Sequence, residues 1–312
     1  MLSRVAENIY WLTRCLERAE GMARLVSASS QLQLDLPMHV PLSWGSLIDI
    51  LGGDEDPAEN GYGNNEKSVM RYLISDPGNP GSILSSVRQA RENARVTRDL
   101  LPAEVWEYIN ALYHYVKDNA DGLTSRRKRQ DFLHQVVQHS LQITGQIHGS
   151  VSRGPGHQFM ALGRVLERAD MTTRIIDVRY ANLFPVDDET MGAYSSVCWM
   201  SVLKSLSAYE MYRHDVHGRI SGAEVVNYLI KSAQFPRAVA YTLYRAEECL
   251  NTLPNGDACL EELDVLRDRL DTTEFTGMSP ERMHGLIDDL QRGLGRVHSQ
   301  ITNTYFRFHL AA

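Results

Sequence analysis

Two stretches of this 312-residue chain repeat one another. Residues 12–26 read LTRCLERAEGMARLV and residues 162–176 read LGRVLERADMTTRII. At one fixed offset of 150, Leu12, Arg14, Leu16, Glu17, Arg18, Ala19 and Arg24 fall on Leu162, Arg164, Leu166, Glu167, Arg168, Ala169 and Arg174, and Glu20 falls on Asp170. A gapless pattern L-x-R-x-L-E-R-A-[ED]-x-x-x-R marks a duplicated unit. A weaker echo sets AEVWEYI at 103–109 against AEVVNYL at 223–229, at an offset of 120. The shortfall of 30 matches an insertion in the first copy, within the loop-rich region 35–80. The duplication predicts two helical repeats, about 1–151 and 152–312, with a loop insertion about 52–81 and the two LERA helices packed about a pseudo-twofold axis.

Periodicity sets the fold class. Val5, Ile9, Leu12, Leu16, Ala19, Ala23 and Val26 alternate spacings of four and three, one apolar stripe along a helix. Trp11, Met22 and Leu25 lie off that stripe, so this helix is expected to touch neighbours on more than one side. Similar periodicity runs over 81–118, 126–151, 157–182, 190–213, 236–252, 259–271 and 279–309, and alternating strand patterns are nearly absent. The chain reads as all-α. Segment 52–65, GGDEDPAENGYGNN, reads as a flexible surface loop; Asp76–Gly81, Pro102, Ser125 and Asn255-Gly256 mark further boundaries.

Charge narrows the function classes. A formal net charge of −7 and a pI near 5.9 argue against general nucleic-acid binding. No apolar run reaches 18 residues, and Arg4 and Glu7 interrupt any leader, so a cytoplasmic protein is expected. Four cysteines without C-x-x-C spacing read as reduced thiols, Cys15 and Cys198 as inert core ones. Of 32 basic residues only five are lysines. Codon bias is one source of such a skew; the other is a need for planar, bidentate pairing with carboxylates or phosphates.

At 100° per residue, Glu17, Glu20 and Arg24 lie within about 60° of one another beside the apolar stripe, with Arg14 at the border. Glu167, Asp170, Arg174 and Arg164 repeat the arrangement. Two readings follow. In one, inter-helix ion pairs such as Glu17 with Arg168 or Arg174, and Glu167 with Arg18 or Arg24, fix register. In the other, a polar cleft binds a carboxylate-bearing ligand, with Glu17 or Glu167 available for proton transfer.

MLSRVAENIYWLTRCLERAEGMARL, GRVLERADMTTRIID, ARENARVTRDLLPAEVWEYIN, FPRAV and the late TYF resemble the bacterial alpha-E domain family, over essentially the whole chain. The glutamate-bearing helix that names the family corresponds to Glu17 and its repeat partner Glu167. The resemblance implies a circularly permuted ATP-grasp partner, encoded alongside or fused, often with a transglutaminase-like peptidase and sometimes a proteasome-like hydrolase. It implies a role in peptide ligation or tagging, with ATP and Mg on the partner and no cofactor on this chain. Cys15 and His157 depart from the family's usual aromatic and tryptophan residues.

The family's R-E-N-A-R motif makes Arg91, Glu92 and Arg95, flanked by Arg88 and Arg98, a second candidate anion site; the alternative is a solvated face with Glu92 pairing locally. Tyr209, Tyr212, Arg213 and Pro236-Arg237 belong to later family motifs and are weaker candidates. Arg126-Arg127-Lys128-Arg129, without interleaved aromatics, reads as a solvated helix start or a partner-docking surface. A di-metal helical oxidase would need two E-x-x-H segments and two further glutamates. Glu281-to-His284 and Asp131-to-His134 with Glu17 and Glu167 formally supply them, but the segments do not map onto each other in the repeat, and arginines flank both glutamates. No bound metal is expected. His214 and His217 share a face without a third ligand, and no nucleotide-binding loop or nucleophile motif is present.

Overall fold

In a computed structural model the described residues are 2–37, 44–50, 65–123, 125–183, 189–275 and 278–307. All their regular structure is helical: α1 Ser3–Asp35, α2 Ser46–Asp49, α3 Glu66–Ile74, α4 Ile83–Val96, α5 Ala103–Asn119, α6 Arg126–Ser150 and α7 Pro155–Leu183 come first. Then follow α8 Glu189–Ser205, α9 Tyr209–Asp215, α10 Gly222–Lys231, α11 Val239–Thr252, α12 Asp257–Thr272 and α13 Pro280–Ile301, closed by a π turn over Thr302–Phe306. The all-α expectation holds. No described helix is long and apolar enough to cross a membrane.

Local chemistry explains the boundaries. Asn65, Ser82, Ser125, Ser221 and Ser279 each cap a helix by accepting a backbone N–H three residues on, and Pro280 occupies a position where its missing N–H costs nothing. The helix expected over 81–118 is two helices. Leu101, held extended (φ −105°, ψ 139°) by the following Pro102, cannot continue the first, and Pro102 starts the second. Segment 190–213 also breaks, because Ser207 adopts a positive φ of 53° and the Ala208 N–H returns to the Leu203 carbonyl. The last helix stops at Ile301, with the Arg307 N–H closing onto Thr302. Within the expected insertion, 66–74 is the amphipathic helix α3, and α10 was missed altogether. The expected loop at 52–65 lies, but for Asn65, outside the described residues.

Helix α1 is buried on nearly every side and packs against α3, α4, α6, α7, α8 and the π turn. Its main partner is α7. Contacts between the two show how they run: Ile9 lies against Gly156, Thr13 against Gly163, and Gly21 against Met171. Contacts that keep step from one end to the other mean the helices lie side by side in the same direction. Thr13 and Gly163, and Gly21 and Met171, are the same positions of the two repeats. Equivalent positions facing each other is the signature of a twofold relation, here with its axis along the pair.

The closest approach explains one glycine. A Cβ on Gly163 would sit 2.2 Å from the Tyr10 carbonyl oxygen and 2.6 Å from Thr13 Oγ1. Thr13 donates its hydroxyl proton to the Met160 carbonyl at 2.7 Å, so it is pinned there. Gly163→Ala is therefore expected to lower stability by about 1–3 kcal/mol through overpacking. Gly145→Ala, on an exposed face of α6 with nothing nearby, is expected to be neutral or stabilising, and thermal melts of the two variants check the contrast.

Candidate functional site

The two LERA segments meet in a buried ionic seam. Glu167, with 1% of its side chain exposed, accepts from Arg14 Nε at 2.7 Å and, bidentately, from Arg18 at 2.5 and 3.0 Å. Glu17, 3% exposed, accepts from Arg168 Nε at 2.8 Å and Arg237 Nη1 at 2.5 Å. The exchange of Arg18 to Glu167 and Arg168 to Glu17 is reciprocal across the repeat. Glu20 accepts from Arg24 and Arg237, both at 2.8 Å. Asp170 pairs only with Arg174, one turn on along α7, at 3.0 Å.

Arg237 breaks the symmetry. It lies between α10 and α11, its carbonyl accepts the Thr172 hydroxyl of α7 at 2.9 Å, and its guanidinium spans Glu17 and Glu20. Arg14 pairs with Glu167, but among the described residues its repeat mate Arg164 makes no direct ion pair. Beyond the seam, Arg14 donates to the Tyr10 hydroxyl at 3.3 Å, and that hydroxyl donates to His298 Nδ1 at 2.9 Å. His298 also faces the rings of Tyr10 and Trp11. His298 did not stand out in sequence, because α13 carries no copy of the repeat; Tyr10 shares the charged sector of α1 with Glu17 and Glu20.

The seam is a poor proton-transfer site. Burial alone would raise the Glu17 carboxyl, but Arg237 and Arg168 beside it hold it at about 2. Glu167 is likewise lowered, by Arg14 and Arg18 against the effect of burial. Carboxylates held this firmly ionised are weak bases at neutral pH. Thr13, Glu17, Glu20 and Arg164 enclose a cavity of about 10 Å³, enough for at most one water.

The other candidates lie elsewhere. Arg91 donates to Asn110 at 2.7 Å and Glu92 at 3.0 Å and covers the Trp106 and Tyr113 rings; Arg95 pairs with Glu92 at 2.8 Å. This motif ties α4 to α5. Arg213 is exposed and donates to the Gly218 carbonyl. Of the basic run at 126–129, Arg129 is buried against Glu66 and only the rest is solvated. His214 is exposed and pairs with its neighbour Asp215. All four cysteines are buried and form no disulfide among the described residues, and burial pushes Cys15 up to about 11.

Among the described residues, the one carboxylate–histidine group with metal-like proximity is Asp177, His284 and Asp288, which includes neither LERA glutamate. His284 presents Nδ1 to Asp177 at 2.7 Å and Nε2 to Asp288 at 4.0 Å. The Asp177 hydrogen bond ties α13 to α7, and Asp288, on the same helix as His284, stands near the other ring nitrogen without bonding it.

The architecture is that of an all-α bundle built round a buried glutamate–arginine seam. The chain belongs to the Alpha-E family, described as a predicted alpha-helical domain with a conserved ER motif, and matches that family over residues 1–306. The Glu17-Arg18 and Glu167-Arg168 dipeptides sit at the centre of the seam, each glutamate taking its arginine from the other copy. Similar proteins include an uncharacterized protein of Mycobacterium bovis and two of Mycobacterium tuberculosis strains. Each is 25% identical over 96% of this chain, which spans only 35% of their length. No solved structure matches.

Acid sensitivity follows from the buried imidazoles and carboxylates. Burial, and then Arg14 beside it, pushes His298 down to about 4; burial and Arg153 do the same to His157. A histidine kept neutral in the fold but charged when unfolded contributes stability above about pH 6.5, and loses it as pH falls towards 4. Glu17 adds a second loss between about pH 4.5 and 2. The melting temperature is expected to fall from pH 6.5 to 4, and less steeply in His298→Gln; identical slopes would contradict the assignment.

Proposed function

We propose that this chain is a helical accessory module of an amide-bond-forming or peptide-tagging system, acting with an ATP-grasp ligase that binds ATP and Mg. Its LERA charges form a structural frame. The observation that carries the frame is the reciprocal seam: Glu17, Glu20 and Glu167 are each held by two arginines, and the cavity beside Glu17 and Glu20 has room for no more than a water. A catalytic role for Glu17 or Glu167 is the weaker reading, since each would first have to shed its guanidinium partners.

Three features support a module that works beside another domain. The resemblance extends over the whole chain and carries the ATP-grasp association with it. The mycobacterial relatives have most of their length outside the matched part, as a fused partner requires. The seam fixes α1 against α7 and, through Arg237, the segment leading into α11, which gives a partner a rigid surface.

Co-expression with an ATP-grasp protein encoded next to this chain tests the proposal. The two are expected to purify as a complex, and this chain should raise ATP turnover with amino-acid substrates. No complex and no change in turnover would overturn the partnership.

A further inference from the structure

The seam holds more positive than negative charge. Arg14, Arg18, Arg24, Arg168, Arg237 and Arg164 gather around Glu17, Glu20 and Glu167, while Asp170 and Arg174 balance each other. Exact repetition would pair Arg164 with Glu17, as Arg14 pairs with Glu167. Arg237 occupies that carboxylate instead, and Arg164 feels Glu17 and Glu20 only at longer range, without a direct ion pair among the described residues.

Arg164 opens into a cavity of about 410 Å³ between α6, α7 and α11. Arg153, Arg168 and Arg245 also line it, together with His157 and Tyr241, and among the described residues no aspartate or glutamate does. Arg153 is anchored by the His148 carbonyl at 2.7 Å and contacts the His157 ring. Arg168 approaches Glu17 through Nε, and Arg245 pairs at the rim with Glu248. His157 Nδ1 is buried without a hydrogen-bond partner. The first turn of the 29-residue α7 faces the same space, with its helix dipole positive there.

Four guanidinium groups converging on one cavity repel one another, and Arg164 is half-buried. Its affinity for a proton is lowered by burial and by Arg168, against the pull of Glu17. The arrangement is favourable once an anion enters, because planar guanidiniums bind oxyanions bidentately.

We propose that this cavity is an oxyanion-binding site for a small, multiply charged carboxylate or phosphate ligand, with Arg164 as its central contact and Arg153, Arg168 and Arg245 around it. The volume suits a small molecule such as an acidic amino acid, a short peptide carboxylate or a phosphate ester. The cavity is complete within one chain, so its test requires no ligase partner.

Titration calorimetry on the isolated chain with inorganic phosphate, pyrophosphate and citrate, against chloride at matched ionic strength, tests the site. At least one of the three should bind above the chloride control. Binding should weaken about tenfold or more in Arg164→Gln and in Arg245→Gln, neither of which breaks an ion pair of the seam. Phosphate or pyrophosphate binding without citrate would identify a phosphate ligand, and the reverse a carboxylate one. Without ligand, Arg164→Gln should melt at or above the parent, since it removes a charge whose burial cost, with the repulsion of Arg168, outweighs the pull of Glu17 and Glu20. No binding above the chloride control, or binding undiminished in both variants, would overturn the proposal.

Discussion

The exchange of Arg18 to Glu167 and Arg168 to Glu17 ties the two halves of this chain into one body, and most other features follow from accommodating it. Charges buried this deeply recover their desolvation cost only when paired and hydrogen-bonded, so the helices that carry them have little freedom to slide or rotate. Register is further fixed where Gly163 fits against the Tyr10 carbonyl and the Thr13 hydroxyl, a place too tight for any side chain on α7. Apolar surface holds α1 at the centre of the bundle; the ion pairs specify how α7 must lie against it. A glutamate followed directly by an arginine suits this task. The two side chains leave neighbouring positions of one helix, and each finds its complement on a partner aligned in step.

The departure from symmetry carries as much information as the symmetry. One arginine from outside the repeat, Arg237, fastens the approach to α11 onto Glu17 and Glu20 and displaces Arg164 from the partner its repeat mate keeps. The same residue thus completes the frame and leaves a cation facing an open cavity. Duplication followed by loss of equivalence is a direct route to a binding site, because one copy keeps its structural pairing while the other turns a guanidinium without a direct carboxylate partner towards a cavity.

Much of this was legible in the residues. The gapless repeat located the paired helices, and the sector shared by Glu17, Glu20 and Arg24 placed the charges beside the apolar stripe, where the structure has them. Ser125, read as a boundary, caps the start of α6. The breaks at Leu101 and Ser207 were harder. The first follows from Pro102, which was noted as a boundary but not as a divider; the second rests on a serine at positive φ that no local signal distinguishes. Arg237 joins the seam from 217 and 220 residues away in sequence, a separation no periodicity can bridge. The cavity draws Arg153, Arg164 and Arg245 from three places in the chain, so its charge became visible only when the helices were assembled. The arginine skew, by contrast, was a fair guide: guanidinium geometry is used at almost every position in the seam.

The central claim is that the Glu–Arg seam couples α1 to α7. Amide hydrogen exchange on Glu167→Gln against the parent chain measures it most directly. Leaving Arg14 and Arg18 buried without their carboxylate should cost about 3–5 kcal/mol, and amides of both α1 and α7 should lose protection together. Unchanged protection in both helices, or a loss confined to α7, would contradict the account.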